Sequence, residues 1–130
     1  MANDIEIKKA ELSTFISEKG LSEAIKPLTR EIHLFDTYVA GTSRLKDFSV
    51  LDALKPGDKL TLQREENKFD DNAIVILNEK KQKIGYIPEK DNIIFARLMD
   101  AGKLIIAKVK DIDSKGSFIQ IAIGIYLVDF

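Results

Sequence analysis

The sequence predicts a mainly β fold of the α+β kind: a six-stranded antiparallel barrel with one or two helices and a helical N-terminal extension. Six segments have the alternating or continuous apolar pattern of strands, and turn-forming residues separate them. The long helical pattern of the second half follows four of these strands. This order favours an antiparallel barrel over repeated βαβ units with a parallel sheet.

The composition excludes several classes of protein. A chain of 130 residues can bury a core without cross-links, and the lack of Cys excludes disulfides and a cysteine nucleophile. The single histidine, His33, excludes a His-rich zinc site. No apolar run is long enough for a membrane helix and no signal peptide begins the chain, so we expect a soluble cytoplasmic protein. The 20 basic and 21 acidic residues argue against a uniformly basic surface for duplex nucleic acid.

Residues 1–30 are predicted to form the helical extension. Leu12, Phe15 and Ile16 follow the i, i+3, i+4 spacing of one helix face, and Gly20 is a natural helix stop. This segment holds no catalytic chemistry, so we expect it to pack or to dock.

Residues 31–130 are predicted to form the barrel. Strands are expected at residues 31–41, 59–64, 72–77, 83–87, 104–112 and 118–128, and the near-continuous apolar run of 72–77 indicates a central strand. Residues 49–54 suit one helical turn, and a second helix is expected near 89–101, after Pro88 and before Gly102. The predicted core includes Val39, Leu62, Ala73, Val75, Leu98, Ile106 and Ile121.

A polar loop at residues 64–72 carries four carboxylates. Paired carboxylates suit Mg²⁺, so one hypothesis is a metal-dependent nuclease that uses Glu65, Glu66, Asp70 and Asp71. No second carboxylate cluster and no general-base His supports it, and a solvated connection is the simpler interpretation. We therefore expect no metal, no cofactor and no enzymatic activity. Phe69 either plugs the barrel end or presents its ring to a ligand.

Three motifs occur in a fixed order along the chain. They are Val39-Ala-Gly41, then Gln63-Arg-Glu-Glu-Asn67-Lys-Phe69-Asp70-Asp-Asn72-Ala73-Ile74, then Lys83-Ile-Gly85-Tyr86-Ile87-Pro88. Together they resemble the HIRAN domain, over roughly residues 32–112. The resemblance implies a modified OB-like barrel that binds the 3′ end of single-stranded DNA.

The resemblance also implies roles for the central loop. Phe69 matches the family's stacking aromatic, and Asp70 matches the acid that accepts a hydrogen bond from the 3′-hydroxyl. Asn67 matches the loop residue that orders the terminal nucleotide.

The chain departs from the DNA-binding members at two places. In the DNA-binding members a basic residue and paired aromatics follow the glycine that matches Gly41, whereas the segment here is Thr42-Ser43-Arg44-Leu45, so one stacking platform is absent. Arg44 is expected to substitute in part, because guanidinium planes stack on bases. Tyr86 stands where some members have histidine, and Glu89 replaces a basic residue, with Lys90 next to it. We count Arg44, Tyr86 and Lys90 with the predicted DNA-binding residues.

Two functions of different classes follow. The first is a non-catalytic module that binds single-stranded DNA and recognises 3′-hydroxyl ends. The alternative is a protein-interaction module, in which an open sheet edge or the apolar face of the N-terminal extension docks a partner protein or a second copy of the chain. An exposed Phe69 beside Asp70, Arg44 and Lys90 would favour nucleic acid.

Overall fold

A computed structural model describes residues 30–45, 48–116 and 118–129. The predicted helical extension at residues 1–30 lies outside the described residues, apart from Arg30. Glu31–Val128 form one compact unit. Neither of the helices in the described part of the chain is long and apolar enough to cross a membrane.

The order of elements agrees with the prediction of six strands and two helical segments. The elements are β1 (Arg30–Tyr38), α1 (Ser49–Asp52), β2 (Lys59–Arg64), β3 (Ile74–Leu77), β4 (Lys83–Tyr86), α2 (Glu89–Asp100), β5 (Leu104–Lys115) and β6 (Phe118–Asp129). A 3₁₀ turn at Thr42–Arg44 follows β1. Gly41 initiates this turn with a φ of 76°, a conformation that favours glycine.

The six strands form one sheet in the order β1-β6-β5-β2-β3-β4. β3 pairs antiparallel with both β2 and β4, so the prediction of a central strand at this position is confirmed. β1 and β4 are the edge strands, and an isolated bridge between Ala40 and Tyr86 links the segment after β1 to β4. This arrangement is the OB-like antiparallel fold that the sequence predicts.

The predicted core is largely confirmed. Five of its members are buried, namely Val39, Leu62, Ala73, Val75 and Ile121. Leu98 is partly buried and packs against the core. Ile106 is half-buried, and its neighbours Ile105 and Ala107 face the core instead, so the predicted phase of β5 was wrong by one residue.

Helix α2 packs on the sheet through one face, which contains the buried residues Asn92, Phe95 and Ala96. Its first turn also contacts β1, because the Thr37 hydroxyl donates a 2.8 Å hydrogen bond to the Asp91 carboxylate. The helix follows the end of β4 that pairs with the start of β3, and Asn92 in its first turn donates a hydrogen bond to Asp70 in the loop between β2 and β3. That loop holds the candidate site.

Candidate functional site

The loop between β2 and β3 is shaped by two successive side-chain-to-backbone turns. The Asn67 Oδ1 atom accepts a 2.9 Å hydrogen bond from the Phe69 N–H, and the Asp70 Oδ1 atom accepts one of 2.9 Å from the Asn72 N–H. Asn and Asp make such bonds to the amide two residues ahead. The spacing of Asn67, Phe69, Asp70 and Asn72 therefore has a local physical cause.

Arg64, the last residue of β2, ties the two ends of the loop together. Its guanidinium donates hydrogen bonds to the Ala73 carbonyl at 2.6 Å and to the Asp71 carbonyl at 2.8 Å. Its Nε atom lies 2.9 Å from the Asp100 Oδ1 atom at the end of α2. The planar fork of an arginine presents five donors in a fixed geometry, whereas the three donors of a lysine all radiate from one nitrogen atom. The sequence predicts no role for this residue.

The tip of the loop presents Phe69 to solvent. The side chain is 84 % exposed, which excludes the interpretation that Phe69 plugs the barrel end. The Lys68 Nζ atom lies 5.3 Å from the ring centroid. The ring is accessible to any ligand that enters from solvent.

Asp70 is held through both of its carboxylate oxygens. Asn72 donates to Oδ1, as described above, and the Asn92 Nδ2 atom donates a 2.8 Å hydrogen bond to Oδ2. Asn92 was not predicted. Helical periodicity in the sequence could have identified it, because Asn92 precedes the apolar residues Phe95 and Ala96 by three and four positions and so shares the buried face of α2.

A cleft of about 760 Å³ is lined by five of the six predicted DNA-binding residues. Arg44, Asn67, Phe69, Asp70 and Tyr86 all line it. The structure does not bring Lys90 to this cleft, although Lys90 is exposed on α2.

Lys83 supplies the second cation of the cleft instead. Its Nζ atom donates a 2.6 Å hydrogen bond to the Tyr86 hydroxyl and lies 4.2 Å from the centroid of the Tyr86 ring. The sequence places Lys83 in a motif but gives no reason to separate it from the neighbouring lysines. Lys83 and Tyr86 are three residues apart in β4, a spacing that regular strand alternation places on opposite faces, so their contact becomes visible only in the fold.

The four carboxylates of the loop do not gather into a metal-binding group. Within residues 30–45, 48–116 and 118–129, no cluster of three or more His, Asp or Glu side chains could hold a metal ion. The cleft offers the exposed Phe69 ring, the half-buried Tyr86 ring and the fixed Asp70 carboxylate. The cations of Arg44 and Lys83 are matched in number by the carboxylates of Asp70 and Glu89.

The family model of the HIRAN domain matches residues 32–128. A crystal structure of a protein from Lactobacillus plantarum is similar, with 28 % identity and a TM-score of 0.73 over 78 % of this chain and 99 % of that one. The HIRAN domain of human HLTF has the same fold, with 17 % identity and a TM-score of 0.60 over 75 % of this chain and 78 % of that one. No curated protein matches. On the strength of the family model, this chain belongs to the HIRAN domain family.

Proposed function

We propose that this protein is a non-catalytic module that binds single-stranded DNA and recognises a free 3′-hydroxyl end. One observation carries the proposal: an exposed Phe69 and a fixed Asp70 stand next to each other on the wall of one cleft. Membership in the HIRAN family supports DNA as the ligand.

Phe69 supplies the contact that is independent of sequence. An aromatic ring stacks on any base, because every base has a π face, and such a contact contributes about 1–3 kcal/mol. The backbone of Phe69 is fixed by Asn67, so the ring is presented from an ordered turn. This geometry suits the terminal base of a single strand.

Asp70 supplies the contact that is specific to the end. A carboxylate repels the phosphate chain, so its place in a DNA cleft calls for a ligand group that donates a hydrogen bond. The 3′-hydroxyl is such a donor, and DNA carries it only at its end. A hydrogen bond to a charged acceptor contributes about 1.5–3 kcal/mol.

Arg44 and Lys83 are the cations of the cleft, and Asp70 and Glu89 balance them in formal charge. Two cations neutralise few phosphates, which fits a ligand that enters by its last nucleotides rather than along a long track. The Lys83 ammonium is oriented by the Tyr86 hydroxyl, whereas Arg44 ends the 3₁₀ turn after Gly41.

Fluorescence anisotropy with a short single strand labelled at its 5′ end tests the proposal. We expect tighter binding to a strand with a free 3′-hydroxyl than to the same strand with a 3′-phosphate, by about tenfold or more. Asp70→Asn should abolish this preference and preserve or improve binding to the blocked strand, because a repulsive charge is removed. Asp71→Asn is the matched control, since the exposed Asp71 side chain is outside the cleft. Equal binding of the two strands by the wild type would overturn end recognition.

Strand β1 favours protein interaction as a second candidate function. It is an edge strand of the sheet, and Ile32, Leu34, Phe35 and Tyr38 on it are exposed. Exposed apolar side chains on an edge strand are a common basis for docking another chain. Absence of DNA binding, together with a concentration-dependent mass in sedimentation, would favour this candidate and a second copy as the partner.

A further inference from the structure

Asn92 is a polar side chain in an apolar setting. It is only 2 % exposed, and the next residues on its face of α2 are Phe95 and Ala96. A buried amide is costly unless it is hydrogen-bonded, and the Asn92 Nδ2 atom meets this need at the Asp70 Oδ2 atom, 2.8 Å away. A buried residue of the helix thus contacts a residue of the cleft across 22 positions of the sequence.

We propose that Asn92 is a positioning residue for recognition of the 3′-hydroxyl, so that end specificity is set from inside α2. The inference rests on the function proposed above and adds a residue that does not line the cleft. Asn92 acts on the ligand through Asp70 alone.

The hydrogen-bond capacity of Asp70 supports this role. A carboxylate offers about four acceptor positions on its two oxygens. Asn72 occupies one on Oδ1 and Asn92 occupies one on Oδ2, which leaves further capacity on both oxygens for a ligand. The two bonds together fix the plane of the carboxylate. A group that is fixed before binding loses less conformational freedom when the ligand arrives.

The hydrogen bonds that shape the loop are separate from the bond that positions the Asp70 carboxylate, so a role of Asn92 in end recognition can be told apart from a role in loop structure. The Asn67 turn and the Arg64 hydrogen bonds that shape the loop do not involve Asn92. Loss of the Asn92 amide frees Asp70 Oδ2 but preserves the Phe69 turn. End preference should therefore fall, whereas stacking on a blocked strand should persist.

The matched control removes a hydrogen bond that β1 makes to the same turn of α2. The buried Thr37 donates a 2.8 Å hydrogen bond to Asp91, which adjoins Asn92 but does not contact Asp70. Thr37→Val removes a buried hydrogen bond at this turn with almost no change of volume. It tests whether loss of a buried hydrogen bond at this turn is by itself enough to change the end preference, and Thr37 does not line the cleft.

The experiment measures the ratio of the dissociation constants for the 3′-phosphate and 3′-hydroxyl strands. In Asn92→Ala we expect this ratio to fall at least about fivefold from the wild-type value, and binding of the blocked strand to stay within about twofold. Thr37→Val should keep the wild-type ratio. The double variant Asn92→Ala/Asp70→Asn should have the same ratio as Asp70→Asn, because Asn92 acts only through Asp70.

The outcomes distinguish this inference from the proposed function. A wild type that prefers the 3′-hydroxyl, with an Asn92→Ala variant that keeps the preference, overturns the role of Asn92 and preserves the function. A wild type without preference overturns both.

Thermal unfolding reports whether the Asn92→Ala variant is folded, and Asn92→Ser takes its place if it is not. In NMR spectra of the wild type, the side-chain amide signals of Asn92 should shift when the 3′-hydroxyl strand is added and should stay in place when the 3′-phosphate strand is added. Equal shifts with the two strands would contradict the inference.

Discussion

Ala40 and Tyr86 exchange two backbone hydrogen bonds, each with an N···O distance of 2.8 Å. The pair connects the segment that follows β1 with β4. Strands β1 and β4 are the two edges of the sheet. Both residues also line the cleft. The contact that joins the edges of the sheet is therefore part of the wall of the candidate site, and damage to it should affect stability and binding together.

Gly85 makes this close approach feasible, so Gly85→Ala should destabilise the fold. A Cβ atom on Gly85 would lie 2.4 Å from the Val39 Cγ1 atom and 2.5 Å from the Ala40 carbonyl oxygen. The backbone oxygen cannot move without breaking the bridge. Forcing extra volume into a packed site typically costs about 1–3 kcal/mol, and we expect a loss at the upper end, measured by urea unfolding followed by circular dichroism.

Gly57→Ala is the control for this experiment. Gly57 has a φ of 94°, but a Cβ atom there would meet nothing within 4 Å, so only backbone strain is added. A loss of stability in Gly85→Ala that does not exceed the loss in Gly57→Ala would contradict the steric explanation.

Arg64→Lys should loosen the loop. Lysine retains the charge but lacks the fork that reaches Ala73, Asp71 and Asp100 together. We expect a loss of about 1–3 kcal/mol in the free energy of unfolding, and weaker binding of single strands. Asp100→Asn removes the ion pair alone and should have a smaller effect on binding. If Arg64→Lys and Asp100→Asn weakened binding equally, the hydrogen bonds from Arg64 to the loop carbonyls would not contribute to binding.

The strands could be predicted from the sequence because their signals are local. Alternating apolar residues and turn-forming residues locate each strand, although β1 ends three residues earlier and β5 three residues later than predicted. The phase of β5 could not be predicted in the same way. Leu104, Ile105 and Ile106 form a continuous apolar run, and only the pairing with β2 and β6 decides that Ile105 faces inward.

The same distinction applies to the site. Phe69 and Asp70 could be found in the sequence because a single loop carries them. Asn92 and Lys83 could not, since α2 and β4 bring them to the loop through tertiary structure. Lys90 was expected at the site because it adjoins Glu89, which replaces a basic residue of the family, but on α2 it does not line the cleft.

Phe69→Ala should weaken the binding of every single strand, whether its 3′ end is free or blocked. Loss of one stacking contact corresponds to about 1–3 kcal/mol, or roughly 5- to 150-fold in affinity. The melting temperature should stay unchanged, because the ring is exposed and contributes little to the core. Phe69→Trp retains a stacking face and should preserve affinity. Unchanged affinity of Phe69→Ala in anisotropy titrations would exclude stacking at this position.

Glu31 should stabilise the fold at neutral pH. A hydrogen bond from Lys108 lowers the pKa of the Glu31 carboxyl below its ordinary value, and Lys59 contributes in the same direction. A lowered pKa in the folded state gives stability that is present above the unfolded value and lost as the pH falls through the folded value. Glu31→Gln should therefore be less stable than the wild type at pH 7, by up to about 1 kcal/mol.

Melting temperatures measured as the pH is lowered test this prediction. The curves of the wild type and Glu31→Gln should converge in strongly acidic solution, once the wild-type carboxyl is protonated. Glu66→Gln makes the same change in net charge at an exposed position of the loop and is the control. A constant difference between the Glu31 variant and the wild type at every pH would contradict the role of the ion pair.

The salt dependence of DNA binding should be shallow. The cleft holds two cations, and each neutralised phosphate of a single strand changes the slope of log K against log salt by about 0.7, so we expect a slope of about −1 to −3. Lys83→Gln removes one of these charges and retains a polar group that can bond the Tyr86 hydroxyl. It should make the slope shallower by about 0.7.

Lys90→Gln is the matched control, because it removes the same charge from a residue that is close in sequence but does not line the cleft. Its slope should equal that of the wild type, since a cation that contacts no phosphate releases no counterion. Anisotropy titrations over a series of salt concentrations give the three slopes. A slope near about −7 for the wild type would mean a long basic track outside the cleft, and equal slopes for the two lysine variants would mean that Lys83 does not contact phosphate.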